Sequence, residues 1–278
     1  MRTTRRCMGL ALALVLAACG PSDDGADDDT ATGDGGAIAD ADPNRADRPP
    51  LPENSAVYAH SDSTLFKVDP DSLDVTEVGP FAWPGVADSM TDIAIDKSGY
   101  MVGISFDRVY AVNTLTASTT YLADLDREFN GLSFVPAQEI DPTGEEVLVA
   151  SALDGSFYEI DPGTGASTII GNYGGGLTSS GDIVSVSGFG TVATVKQNGL
   201  GNDLLARVDP TTGVATVIGD TGVTNIWGVG FWENKVFGFT SGQQFVLIDV
   251  TTGNAQLVES GAVSWWGAGV TTSAPIIE

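Results

Sequence analysis

The sequence predicts an all-β fold, a five-bladed β-propeller with four antiparallel strands in each blade. A recurring turn motif, short β-rich segments around it and a leftover strand pattern at the C-terminus lead to this prediction. The motif is clearest in residues 205–219, LARVDPTTGVATVIG, where Asp209 and Pro210 open a turn and Gly213 closes it. Proline presets φ for such a turn and glycine adopts the left-handed conformation that ends it, so the stretch is predicted to be a β-hairpin.

The motif recurs with a nearly constant period. Residues 157–171 (FYEIDPGTGASTIIG) and 245–259 (FVLIDVTTGNAQLVE) are close copies, whereas residues 65–79 and 109–123 lack the glycine. The residue that opens the turn recurs at intervals of 44, 48, 48 and 40 residues, at Asp69, Asn113, Asp161, Asp209 and Asp249. A period of about 45 residues in a β-rich chain is typical of propeller blades.

Each period contains four short β-rich segments, except the first. The second period shows the pattern best, with predicted strands at residues 92–95, 100–105, 109–113 and 119–123. The first period has only three, beginning with residues 56–60, and lacks an inner strand. Residues 265–270 (WWGAGV) match the inner strand at 226–231 (IWGVGF), so we expect this last strand to close the first blade and remove an open sheet edge.

The inner strands alternate between larger apolar residues and small ones. We align Val184 and Val186 of the fourth period with Ile93 and Ile95 of the second, which assigns Ser185 to the small-residue face. Small residues on that face suit a narrow central channel. The predicted propeller occupies residues 55–278.

Residues 1–18 have the features of an export signal. Arg2, Arg5 and Arg6 precede an apolar run that is too short to span a bilayer and ends in Leu16-Ala17-Ala18-Cys19. This ending resembles the lipobox of bacterial lipoproteins; the alternative is an ordinary secretory signal with a chance cysteine. The resemblance implies cleavage before Cys19, lipidation of Cys19 and anchoring in the cell envelope. Since no aspartate follows the cysteine, it also implies the outer membrane.

Residues 19–54 are predicted to be the lipidated cysteine followed by a disordered acidic linker. They are rich in Asp, Gly, Ala and Pro and contain few large apolar residues, so burial cannot offset the entropy of ordering. The whole sequence has a formal charge of −25, and loss of the three leader arginines makes it more negative. Such a surface repels nucleic acid, so the expected contacts are a membrane through the N-terminal lipid and a protein or glycan partner.

Propeller connectivity predicts a candidate site at the mouth of the channel. The starts of the inner strands and the loops after the second strands share one face of a propeller. We therefore expect polar and aromatic side chains around the channel mouth to form a ligand-binding set: Thr91, Asp92, Asn130, Asp182, Trp227 and Trp266. His60 should lie further out, and Trp83 should lie on a loop that reaches the same face. Such a set suits a sugar or another small polar ligand; the alternative is that the tryptophans only fill space beside glycines.

A second hypothesis is that three of these residues bind a metal ion. Asp92, Asn130 and Asp182 carry the oxygen ligands that Ca²⁺ prefers, and the arrangement resembles that of lactonase-like propellers, which implies a catalytic channel metal. The sequence has no G-x-S-x-G or H-E-x-x-H motif, and a lone histidine such as His60 is more often structural than catalytic. The sequence therefore favours a non-catalytic protein without a cofactor over an enzyme. Ca²⁺ is the one cofactor that the sequence leaves open.

The recurring hairpin also resembles the repeats of quinoprotein propellers and related bacterial surface propellers. The shared pattern is an apolar residue, Asp, two residues and Thr-Gly, as in Asp209–Gly213. The tryptophan that follows Thr-Gly in the quinone enzymes is absent from every copy, and five periods are fewer than those enzymes have. The resemblance therefore implies the shape without the redox cofactor. Two classes of function remain: a non-catalytic binding module of an envelope lipoprotein, or a channel-metal lactonase or hydrolase.

Overall fold

The computed structural model describes residues 56–277, which form five four-stranded antiparallel sheets. The innermost strands of neighbouring sheets contact one another in a closed ring, so the sheets are the blades of a β-propeller. This confirms the predicted fold class. Within these residues there is one short helix, α1 (Ala137–Ile140), which the sequence analysis did not predict. No helix of the described part is long and apolar enough to cross a membrane.

The strands follow the chain blade by blade. In the second blade they are β4 (Asp92–Ile95), β5 (Met101–Ile104), β6 (Arg108–Val112) and β7 (Thr119–Asp124); in the third, β8 (Gly131–Val135), β9 (Val147–Ser151), β10 (Ser156–Ile160) and β11 (Ser167–Asn172). In the fourth they are β12 (Leu177–Val186), β13 (Gly190–Gln197), β14 (Leu200–Val208) and β15 (Ala215–Asp220); in the fifth, β16 (Ile226–Trp232), β17 (Lys235–Thr240), β18 (Gln244–Asp249) and β19 (Ala255–Ser260).

The first blade combines the two ends of the described chain. It consists of β1 (Val57–His60), β2 (Thr64–Val68), β3 (Val75–Pro80) and the C-terminal β20 (Gly267–Gly269) as its inner strand. In the antiparallel register of β1 and β20, Ala59 lies opposite Ala268. The backbone N–H of Trp266 also donates to the carbonyl of His60 over 2.8 Å. The predicted closure of the first blade by the C-terminal strand is therefore confirmed.

The recurring turn has the geometry that its composition predicts. One carboxylate oxygen of Asp209 accepts the backbone N–H of Thr211 at 2.9 Å, and the N–H of Gly213 donates to the Asp209 carbonyl at 2.7 Å. Gly213 has φ +72°, in the left-handed region. In the two copies without glycine, Leu73 and Ala117 occupy this position with φ of 64° and 55°. The turn is therefore retained even where its preferred residue is lost, at some cost in backbone strain.

The core lies between the blades, where both faces of each inner strand are covered. Ile93 packs with the first blade, and Ile183 packs with the third in the equivalent position, whereas Val184 and Val186 pack with the fifth. Our alignment of Val184 and Val186 with Ile93 and Ile95 is thus wrong by one residue. The cause is that β12 starts early, at Leu177, and its register with β13 shifts between Ser179 and Ile183.

Candidate functional site

A cavity of about 250 Å³ opens at the mouth of the central channel. Residues at or just before the inner strands form part of its wall, and loops after β5 and β9 add Phe106 and Leu153. The face shared by these loops and strand starts is the one that propeller connectivity predicted. The complete lining consists of Thr91, Phe106, Phe129, Asn130, Leu153, Ser180, Gly181, Trp227 and Trp266.

Aromatic rings at right angles to one another form one wall of the cavity. The rings of Trp227 and Trp266 have centroids 6.1 Å apart and an interplanar angle of 89°, and Phe106 lies 6.2 Å from Trp266 at 77°. Both tryptophans are only half-buried, and Phe106 is 48% exposed. The rings therefore do more than fill space beside glycines, since they present accessible surface to anything that enters.

Two polar atoms in the cavity lining lack a partner among residues 56–277. They are Asn130 Oδ1 and Ser180 Oγ, both buried. The Asn130 amide nitrogen donates to Ser179 Oγ over 3.1 Å, which fixes the carboxamide with its oxygen free to accept. Thr91 Oγ1 already donates to the Ile104 carbonyl at 3.1 Å. Because a buried acceptor without a partner costs free energy, a ligand that donates a hydrogen bond here gains affinity.

Asp92 begins β4 in the second blade and Asp182 lies within β12 in the fourth blade, next to Thr91 and Gly181, and both are fully buried. Asp92 accepts the N–H of Leu132 in the third blade at 2.7 Å, and Asp182 accepts the N–H of Val229 in the fifth at 2.6 Å. Each carboxyl thus ties its own blade to the next. The structure places both as a floor below the mouth rather than in the cavity lining.

The two carboxyl groups lie near enough to affect each other's protonation. Burial, and then the charge of Asp182, raises the pKa of Asp92 well above its ordinary value. Burial also raises the pKa of Asp182 to about 7, although its interaction with Asp92 and the N–H groups of Val229 and Ile183 oppose the rise. Both buried carboxyl groups therefore bind a proton more readily than an exposed aspartate does.

His60 is fully buried beside this pair. Its Nδ1 bonds the Ser61 carbonyl at 2.8 Å, and its Nε2 lies 4.0 Å from Asp92 Oδ1. That spacing would suit an ion pair, but burial lowers the pKa of His60 to about 4 while the pKa of Asp92 is raised. The imidazole is neutral at pH 7, so the contact with Asp92 is not an ion pair. Gly267 completes the cluster, since a Cβ there would overlap His60 and Asp92.

Two of the three proposed calcium ligands, Asp92 and Asp182, have their carboxylate oxygens engaged by the backbone. Every carboxylate oxygen of Asp92 and Asp182 accepts a backbone N–H, two of them from Ile93 and Ile183 at 2.8 and 2.6 Å. Ca²⁺ requires about six to eight oxygen ligands, and these four oxygens already accept backbone hydrogen bonds. Within the described range, no group of three or more His, Cys, Asp or Glu side chains is placed to hold a metal.

Four of the predicted site residues line the cavity: Thr91, Asn130, Trp227 and Trp266. Trp83 does not, because it packs against Phe81 and Tyr110 at centroid distances of 5.6 and 5.0 Å. The loop residues Phe106 and Leu153, the latter 72% exposed, were not predicted. Each is a large apolar residue in an otherwise polar turn after the second strand of a blade, and this pattern could have predicted their place in the lining. Cys19 lies outside the described residues, so its lipidation stays a prediction.

The fold and the mouth cavity together define the class: a five-bladed β-propeller with an aromatic-walled cavity at one end of its channel. No family model matches the sequence. No curated protein matches it. The chain is similar to a solved structure, the crystal structure of the computationally designed Ika8 protein, with 13% sequence identity and a TM-score of 0.35. That alignment covers 78% of this chain and 65% of the designed one.

Proposed function

We propose that the propeller is a non-catalytic binding module that takes a small ligand, or the end of a surface glycan or partner protein, into the mouth cavity. The observation that carries this proposal is the combination of accessible aromatic rings with two unpartnered buried polar atoms, Asn130 Oδ1 and Ser180 Oγ. Ligand pockets are typically apolar cavities with a few well-placed polar groups. A volume of about 250 Å³ lies just below the usual range of roughly 300–1,000 Å³, so the bound group is small.

We further propose that the chain is a lipoprotein of the cell envelope, held by a lipid on Cys19 at the periplasmic side or the cell surface of the outer membrane, with the acidic linker between anchor and propeller. The support is the order of basic, apolar and Leu16–Cys19 segments in residues 1–19. A site at the mouth of an anchored propeller suits capture of a ligand near the membrane.

The competing function is a channel-metal hydrolase, which the raised pKa values of Asp92 and Asp182 would favour, since perturbed groups cluster in active sites. The carboxyl oxygens are, however, buried and bonded to backbone amides, so they do not face a substrate. The pairing between blades explains these two residues without catalysis.

The test is a binding screen of the purified protein against glycans and small polar compounds, with Ca²⁺ and lactone hydrolysis measured in parallel. Leu153→Ala should weaken a true ligand, whereas Leu200→Ala, equally exposed at 75% but outside the lining, should not. Stoichiometric Ca²⁺ binding with lactone turnover, abolished by Asp92→Asn, would refute the non-catalytic proposal.

A further inference from the structure

The mouth cavity combines unpartnered hydrogen-bond acceptors with accessible aromatic rings. Among residues 56–277, no Lys, Arg or His belongs to its lining. Its two unpartnered polar atoms are an amide oxygen, which can only accept, and a hydroxyl, which can also accept. A ligand that fits them brings donors.

The aromatic wall adds a second, independent preference. Trp227 and Trp266 stand at 89° to each other, and Phe106 stands at 77° to Trp266, so the rings that line the cavity lie in different planes. The face of an aromatic ring is negative because of its quadrupole, and tryptophan attracts cations most strongly. Several aromatic rings bordering one small space are a feature of sites that bind quaternary ammonium ions.

The surroundings do not oppose a positive charge. The titratable groups next to the cavity floor are Asp92, Asp182 and His60, and His60 is neutral at pH 7. The whole chain carries a formal charge of −25, which raises the local concentration of cations. Lys196, a nearby cation on the fourth blade, is held 3.4 Å from Asp203 and does not line the cavity.

We infer that the mouth cavity binds a small organic ammonium ion, with the charged nitrogen against Trp227 and Trp266 and a nearby hydroxyl or N–H donating to Asn130 Oδ1. This inference rests on the proposed binding function and names its ligand class. The small volume of about 250 Å³ suits a compact head group.

Calorimetric titration of the full-length protein in low salt tests this inference. The probes are choline, tetramethylammonium, dimethylbutanol as the neutral carbon isostere of choline, and maltotriose as a neutral sugar. We expect choline to bind at least about tenfold more tightly than dimethylbutanol, because only the charged form interacts with the ring quadrupoles.

Variants locate the interaction. Trp227→Ala should weaken choline about 10- to 30-fold, the range that one desolvated cation–aromatic contact supplies. Asn130→Ala should weaken choline more than tetramethylammonium, because only choline carries the hydroxyl donor. Leu200→Ala is the control and should change neither affinity.

Absence of choline binding, equal affinity for dimethylbutanol, or unchanged affinity in Trp227→Ala would overturn the inference. If maltotriose or another neutral compound binds at the mouth while choline does not, the inference fails and the proposed binding function stands. If Leu153→Ala and Trp227→Ala leave every observed ligand unaffected, the mouth is not the binding site and both fail.

Discussion

Trp265 and Trp266 are adjacent in sequence, and the structure assigns them opposite roles. Trp265 is 3% exposed and packs edge-on against Phe66 at 5.1 Å and Phe239 at 5.2 Å, between the first and fifth blades. Trp266 is half-buried and lines the mouth cavity beside Trp227 and Phe106. The two alanine substitutions should therefore separate ring stability from ligand binding.

Trp265→Ala removes a fully packed aromatic side chain, which costs about 3–5 kcal/mol of unfolding free energy. Domains of ordinary stability have about 5–15 kcal/mol, so the loss is a large fraction. For a domain of this size each kcal/mol shifts the melting temperature by about 2–4 °C, so we expect a fall of roughly 6–20 °C. Trp266→Ala removes a half-buried ring and should cost only about 1–1.5 kcal/mol on area grounds.

Urea denaturation followed by circular dichroism measures both losses without depending on tryptophan fluorescence, and a constant m value shows that the unfolding transition is unchanged. Ligand titration of the same variants should show the reverse order, with the larger loss in Trp266→Ala. Equal losses of stability, or a greater loss for Trp266→Ala, would refute the placement of Trp265 at the closing seam.

Three further predictions concern the termini and the buried cluster. Cys19→Ala should move the protein from the membrane fraction to the soluble fraction or leave it uncleaved, and unchanged detergent partitioning would contradict lipidation. Deleting residues 22–54 should leave the melting temperature unchanged, whereas a drop of many degrees would show that this segment packs on the propeller. The third concerns pH. Because burial raises the pKa of Asp182 from 3.8 to about 7, the folded chain holds a proton that the unfolded chain releases, and unfolding free energy falls as pH rises between these values. His60 has the opposite effect on unfolding free energy between its folded pKa of about 4 and its ordinary pKa of 6.5, because there only the unfolded chain binds the proton. Asp182→Asn should therefore reduce the fall of unfolding free energy with pH, and His60→Gln should increase it. Urea titrations at several pH values measure this dependence, and an unchanged dependence in both variants would refute the reasoning.

The architecture was predictable because residues close together in the sequence determine its turns. The turn residues at Asp209 and Gly213 act within five residues, and their recurrence fixes the number of blades. The closing strand was predictable for the same reason, since residues 265–270 repeat the pattern of 226–231 without a blade to follow. The register of β12 was not, because its shift between Ser179 and Ile183 depends on how far β13 extends beside it.

The site was predictable only in part, because it is assembled across blades. Asn130 and Trp227 sit at strand starts, where connectivity alone places them at the mouth. The burial of Asp92 and Asp182 depends on which backbone N–H each reaches in a neighbouring blade, and no sequence spacing specifies a contact such as that of Asp182 with Val229. The predicted placement of Trp83 at the mouth was wrong because it too depends on a contact between blades. The carbonyl of Ala82, next to Trp83, accepts the N–H of Thr119 in the second blade at 3.0 Å.

Ring closure and assembly of the cavity are the same structural event. The strand that supplies Trp266 to the cavity is the one whose pairing with β1 completes the first blade. Its neighbour Trp265 fills the seam, and Gly267 allows His60 and Asp92 to approach beneath the mouth. An open ring would lack one aromatic wall and part of the floor. A ligand that contacts Trp266 therefore binds only the closed propeller, and its binding free energy adds to the stability of the seam.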